Sequence, residues 1–155
     1  MSTEFPLLSA DDVLLDLKVA GRGGLFAEVA QKVEARYGLA HALVAEKLAA
    51  REKLGSTGLG HGVAIPHARL PEASRPFAVF ARTQFPIAFD APDSKPVSDF
   101  LVLIVPNDSP ELHLELLSRL AGKFNDRDFR ERLRAATEPV TIATLLSLRG
   151  ASDER

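Results

Sequence analysis

Residues 97–105 read VSDFLVLIV, and the six positions from Phe100 to Val105 are apolar without interruption. A half-buried strand alternates apolar with polar side chains, whereas one that stays apolar at every position is covered on both faces. Pro106 closes the run, because it has no N–H to give to a ladder. Val97–Val105 is therefore expected to be a central strand. That expectation decides the fold class: an α/β protein with a mixed β-sheet flanked by helices on both sides.

Downstream, Ser109 is placed as a helix N-cap with Pro110 at the first helical position. Leu116, Leu117, Leu120 and Phe124 form the inward stripe of that helix. Two more helices come after it, at 126–136 with Phe129 and Leu133 inward, and at 137–148 with Ile142, Leu145 and Leu146 inward. Upstream, 77–83 reads as a strand, 86–89 as a short edge piece, and 63–65 as a short strand stopped by Pro66. Residues 13–19 alternate partly and are expected to form a first strand, with Leu15, Leu17 and Val19 on one face. A helical turn, capped by Ser9 with Asp12, precedes it. Gly21–Gly24 reads as a loop. Leu25, Val29 and Val33 then recur every four residues beside Phe26, Ala30 and Tyr37, which marks an amphipathic helix ended by Gly38. Residues 39–54 form a second helix, with Leu43, Val44, Leu48 and the stem of Lys47 along one side, ended by Gly55.

The strands and helices are interspersed with no repeat or long linker, and 155 residues suit one core. A single domain over 1–150 is expected, with a frayed tail at 151–155. Net charge is -2 and no basic run stands out, which argues against a nucleic-acid surface. The absence of cysteine excludes disulfides, thiolate catalysis and cysteine-ligated metals. The N-terminus lacks signal-peptide features and no apolar run is long enough to cross a bilayer. A cytoplasmic protein without membrane insertion is expected.

Chemistry concentrates in residues 51–69, REKLGSTGLGHGVAIPHAR. His67 comes directly after Pro66 at the end of a short apolar run, and Ser56 and Thr57 lie upstream among Gly55, Gly58, Gly60 and Gly62. Hydroxyls and exposed backbone N–H groups suit an anion. Neutral imidazole is a nucleophile near pH 7, so a histidine beside an anion cradle points to a nitrogen that accepts and passes on a phosphoryl group. His113 falls in the first turn of the Ser109-capped helix, in line with its inward stripe and at an end that favours anions. Arg51 is suited to clamp phosphate oxygens. The plain alternatives are a strand-end histidine, a satisfied buried histidine, a solvated helix-end charge and turn-capping hydroxyls. His61, an even number of residues before His67, reads as an exposed loop histidine, and His41 has no partner in view. No Walker lysine, common zinc spacing or serine-nucleophile motif is present. RDFRERLR, 127–134, reads as a solvated face.

The segment GSTGLGHGVAIPHAR resembles the active-site motif of IIA proteins of the phosphoenolpyruvate phosphotransferase system, fructose/mannitol class, with the nitrogen-regulatory type the best match. PIAFDAPDSKPVSDFLVLIVP (86–106) and HLELLSRLAGKFNDRDFRERLRAA (113–136) resemble the strands and helices that come next in that family. The resemblance implies a phosphotransferase in which His67 takes a phosphoryl group on Nε2 from a histidine phosphocarrier of the HPr type, without a metal or other cofactor. His113 corresponds to the second pocket histidine, and Arg51, Ser56 and Thr57 fall where the family lines its phosphate pocket. An apolar rim of Val63, Ile65 and Leu59 is expected to dock the donor. His61 stands where some relatives have asparagine, and could add positive charge near the pocket at mildly acidic pH. Ala68 stands where glycine is frequent. Expected partners are regulatory targets of the potassium-transport, sensor-kinase or alarmone-enzyme type. The other readings are a sugar-specific IIA passing phosphate to a IIB domain, and a binding-only module of the same fold.

Overall fold

The computed structural model describes residues 7–148, so the expected tail at 151–155 lies outside the described residues. The strand at the centre is the one the sequence marks: β6 spans Val97–Val105 and is buried at every position except Ser98. On one side it pairs antiparallel with β5 (Phe77–Ile87). On the other it pairs in parallel with two short strands in succession, β3 (Val63–Ala64) and β4 (His67–Arg69). The outer positions belong to β1 (Val13–Leu17), parallel to β5, and β2 (Gly58–Gly60), antiparallel to β3. The order is β1-β5-β6-β3-β2, with β4 also on β6, and the directions are mixed.

Side chains alternate across β6 and divide the core in two. Phe100, Val102 and Ile104 pack with α1 (Arg22–Tyr37) and α2 (His41–Leu54). Leu101, Leu103 and Val105 pack with α3 (Pro110–Phe124), α4 (Arg127–Ala135) and α5 (Pro139–Leu146). This is the physical reason that Phe100 to Val105 has no polar position: period-two alternation sends each residue into one apolar layer or the other.

Several local expectations change. Val13–Leu17 does not keep Leu15 and Leu17 on one face: Leu15 packs on the α3 side and Leu17, with Val19, on the α1 side. The register between Leu14 and Leu17 slips against Ala81 and Thr83, three steps facing two, and Asp16 takes a positive φ of 56°. One extra residue in a β-bulge reverses the facing of the residues after it. The two pieces expected at 77–83 and 86–89 are one strand, β5, whose register loosens between Arg82 and Ile87 where Gln84, Phe85 and Pro86 are exposed. Proline is tolerated there because no ladder bond is asked of it. The loop expected at Gly21–Gly24 shortens, because α1 already begins at Arg22. The C-cap of α1, Gly38, adopts φ 76°, the left-handed conformation that glycine takes without a Cβ penalty. Ser109 precedes α3 as expected, although its side chain makes no capping hydrogen bond.

A part-buried pair ties the sheet to α4. Arg82 Nε and Nη2 donate to the Asp99 carboxylate at 2.7 and 3.2 Å, while Nη1 and Nη2 donate to the carbonyls of Ala136 and Leu133. Asp99 is 3% exposed, so its charge is held by the guanidinium fork rather than by water.

Candidate functional site

Pro66 interrupts the strand that Val63 begins, yet its carbonyl still accepts from Leu103 N–H at 2.9 Å. The chain therefore stays beside β6, and His67 opens β4 instead of ending a strand. Pairing with Leu103 and Val105 sets His67 and Arg69 on the α3 face, while Ala68 faces the α1 and α2 layer. A cleft of about 280 Å³ forms there, lined by Lys47 and Arg51 from α2, His67, Ala68 and Arg69 from β4, and His113 from α3. Three cations and two imidazoles line it, and none of its lining residues is a carboxylate.

The hydrogen bonds define the tautomer of both rings. His67 Nδ1–H donates to the Ile65 carbonyl at 2.9 Å. A carbonyl oxygen can only accept, so the proton sits on Nδ1 and the lone pair on Nε2. Arg51 Nε–H donates to that Nε2 at 3.2 Å, and Arg51 Nη1 is itself anchored on the Gly55 carbonyl at 2.9 Å. At His113 the pattern is reversed. Arg69 Nε–H donates to Nδ1 at 2.9 Å, so the proton of the neutral ring lies on Nε2. That Nε2 is buried and has no hydrogen-bond partner among the described residues. The two rings meet edge-on, centroids 5.3 Å apart and planes at 69°.

Both imidazoles are held neutral. Burial pushes the His67 pKa below its ordinary 6.5, outweighing the bond to Ile65, and Arg51 and Arg69 lower it further. Burial first, then His67, Arg69 and Arg51, push His113 down to about 4. A cationic cleft thus contains a nitrogen lone pair that is not consumed by a proton at neutral pH.

The structure brings His67, His113 and Arg51 together and keeps Ser56 and Thr57 apart from them. Neither hydroxyl lines the cleft. Ser56 Oγ donates to the Phe89 carbonyl at 2.6 Å and accepts from Gly58 N–H at 3.0 Å. Thr57 gives both its N–H and its hydroxyl to the buried Glu52 carboxylate, each at 2.8 Å. These side chains fold the glycine-rich loop onto the end of α2, and their hydroxyls bond there rather than lining the cleft where the sequence leads us to expect them. Val63 and Ile65 are also not a rim, being 2% and 3% exposed inside the α3-side core. His61 lies in the exposed turn between β2 and β3, outside the cleft, and His41 pairs with Glu34.

Sequence reasoning missed two cleft residues. Arg69 shares a strand face with His67, a two-residue relation that is visible only once His67 is known to begin a strand. Lys47 precedes Arg51 by four residues on α2, so both reach the same side.

The chain matches the family described as the phosphoenolpyruvate-dependent sugar phosphotransferase system EIIA 2 over residues 6–148, and belongs to that family. Within it, the similar relatives include nitrogen regulatory proteins. That of Bradyrhizobium diazoefficiens is 37% identical over 142 residues, covering 92% of this chain and 93% of its own. The crystal structure of nitrogen regulatory protein IIA-Ntr from Neisseria meningitidis is 44% identical, with a TM-score of 0.85 over 90% of this chain and 96% of that one. IIA mannitol from Escherichia coli shares the fold at 22% identity and a TM-score of 0.71, over 90% of this chain and 98% of its own. The family and the mixed sheet covered by helices are those expected from the sequence.

Proposed function

We propose that this chain is a histidine phosphocarrier of the nitrogen-regulatory kind, accepting a phosphoryl group on His67 Nε2 and acting on partner proteins through its phosphorylation state. The observation that carries the reading is the fixed tautomer of His67, with Nδ1–H committed to Ile65 and the Nε2 lone pair in a cleft lined by three cations. The donor is a phosphohistidine on an HPr-type carrier. Nε2 attacks phosphorus, the donor's P–N bond breaks, and its electron pair returns to the donor imidazole. The His67 ring then carries positive charge, which the Ile65 carbonyl stabilises through Nδ1–H. Arg51 shifts from Nε2 to a phosphoryl oxygen. His113 Nε2–H, unpartnered among the described residues, donates to another. Positioned charge of this kind is the main requirement of a loose phosphoryl transition state.

Docking of the donor falls to apolar side chains that are exposed: Leu114, the residue after His113, and Leu54, at the end of α2 three residues beyond Arg51. A phosphoryl dianion at the cleft offsets most of the positive charge of that surface, which recruits or repels a regulatory target. Targets of the potassium-transport, sensor-kinase or alarmone-enzyme type are the proposed readers. A second reading, transfer onward to a sugar-specific IIB component, draws on the 37% identity over 102 residues to a relative named fructose-specific EIIA component in Haloferax volcanii, 66% of each chain.

The test is incubation with phosphoenolpyruvate, the first enzyme of the system and a histidine phosphocarrier, read by intact-mass spectrometry. One acid-labile phosphoryl group on the wild type and none on His67→Ala is the expected result. An unmodified wild type in the presence of active donor leaves only a binding module and overturns the mechanism.

A further inference from the structure

A concavity larger than the His67 cleft lies elsewhere on the molecule. It is a groove of about 620 Å³ between α4, the turn joining β2 to β3, and the loop from β5 to β6. Arg127, Arg130, Glu131 and Arg134 line it from α4, with His61 and Gly62 from the turn and Asp93 and Lys95 from the facing side. Spacings of three and four residues put the three arginines on one side of α4, away from Phe129 and Leu133, which are buried in the core.

The partners of these charges decide what the groove can hold. Arg127 pairs with Glu131 at 3.1 Å, one turn along the helix. Asp93 is occupied by backbone: Oδ2 accepts from His61 N–H at 2.9 Å and Oδ1 from Lys95 N–H at 3.1 Å. Glu131 is thus paired with Arg127, whereas Asp93 is fixed by backbone, keeps its charge and interacts with the nearby Lys95; the four cations of the groove still outnumber its two carboxylates. Arg130 and Arg134 differ. Their hydrogen bonds run to main-chain carbonyls, Arg130 Nη1 to Phe124 at 2.8 Å and Arg134 Nη2 to His61 at 3.0 Å. A carbonyl orients a guanidinium without cancelling its charge, and each guanidinium has about five N–H donors, most of which have no partner among the described residues. Among the described residues no carboxylate pairs with Arg130, Arg134 or Lys95. Gly62 is part of this arrangement. At φ 78° it makes the turn, and a Cβ there would stand 3.1 Å from Arg134 Nη2. The turn is thus shaped to let the guanidinium settle against the backbone.

We propose that this groove is a second anion site, taking a small molecule that carries a diphosphate or two phosphates. Two oriented guanidinium forks and an ammonium match several phosphate oxygens at once, and the volume lies in the ordinary range of small-molecule sites. Phosphate is favoured over carboxylate because each group offers three acceptor oxygens and close to two charges. The site is distinct from the His67 cleft, with which it shares no lining residue.

The experiment is titration of the whole chain with sodium pyrophosphate at physiological ionic strength, read by calorimetry and by amide chemical shifts, with citrate as a matched polyanion. Saturable binding is expected, with shifts at Gly62, Lys95, Ser98 and Arg130. The double variant Arg130→Gln/Arg134→Gln should weaken it by about tenfold or more, as expected for two lost charge-assisted hydrogen bonds. Lys95→Gln, at an exposed side chain, should weaken it about threefold and tests the site without risk to the fold. Shifts confined to Ala68, Arg69 and His113, equal affinity for citrate, or no saturation by about 10 mM pyrophosphate each overturn the proposal, since millimolar dissociation marks only the weakest of specific sites. None of these outcomes bears on phosphorylation of His67.

Discussion

His67 and His61 are six residues apart on one glycine-rich segment, and each lines a basic concavity, yet their settings differ. His67 is half-buried, its Nδ1 proton held by Ile65 and its Nε2 touched by Arg51. His61 is exposed in a turn at φ 58°, with its main-chain N–H donating to Asp93 and its carbonyl accepting from Arg134. Positive charge alone gathers an anion. Covalent transfer needs in addition a lone pair held in one tautomer and one direction. The difference comes from what surrounds each ring: β4 beside β6 gives His67 a fixed backbone with α2 and α3 beside it, while a short turn gives His61 neither.

The comparison can be broken most severely at His67 itself, where alanine should abolish phosphorylation. The same assay on His61→Asn should change the rate by less than about twofold at any pH from 5 to 8, since an exposed histidine outside the site is screened from it. A pH-dependent loss there would return His61 to the cleft. Arg51→Ala should come next. Losing a donor aimed at the transferred group costs on the order of a hundredfold in rate, measurable by quenched-flow mass spectrometry. An unchanged rate would leave the Arg51–His67 contact a mere resting position.

The pH dependence sharpens the same point. Because burial lowers the His67 pKa, the wild-type rate should hold as pH falls through 6.5 and decline only below it. A midpoint at or above 6.5 contradicts a desolvated ring. His113 contributes to stability with a definite sign. Its folded pKa of about 4 lies below the ordinary 6.5, so between these values the unfolded chain binds the extra proton. Stability from this group is intact above about pH 6.5 and is lost as pH falls toward 4. His113→Gln should flatten that part of the denaturation profile, and an unaltered slope would place the effect elsewhere.

The smallest expected effect lies in the loop. Ser56→Ala removes the bond to Phe89 and should cost about 1 kcal/mol of stability, with phosphorylation slowed less than about threefold, well below the Arg51 effect. A rate loss comparable to that of Arg51→Ala would restore the hydroxyl to the phosphate pocket.

The features most legible in the sequence are those where one residue type answers to one local demand. The unbroken run Phe100–Val105 marks a strand covered twice, and Gly38 marks a left-handed cap. His113, in step with Leu116 and Leu120, reads as an inward histidine, and 7% exposure agrees. Legibility failed where neighbours distant in sequence compete for a group. Ser56 and Thr57 carry the chemistry of an anion cradle, but Phe89 and Glu52 take their hydroxyls. Val63 and Ile65 lie inside the α3-side core, where pairing beside β6 carries them. The alternation in 13–19 could not reveal the bulge at Asp16.

The sequence by itself determined a doubly covered mixed sheet, a histidine after Pro66, a second histidine on an inward helical stripe, and the family to which these belong. Local periodicity and backbone constraint act over a few residues and are written in the chain directly. Only the tertiary structure decided that the Ile65 carbonyl holds the Nδ1 proton of His67, that Arg69 fixes the opposite tautomer in His113, and that three arginines of a segment readable as a solvated face line a groove. Each of those depends on a hydrogen bond between residues far apart in sequence or on a main-chain carbonyl, and a carbonyl carries no residue-specific signature. Its direction exists only after the chain has folded.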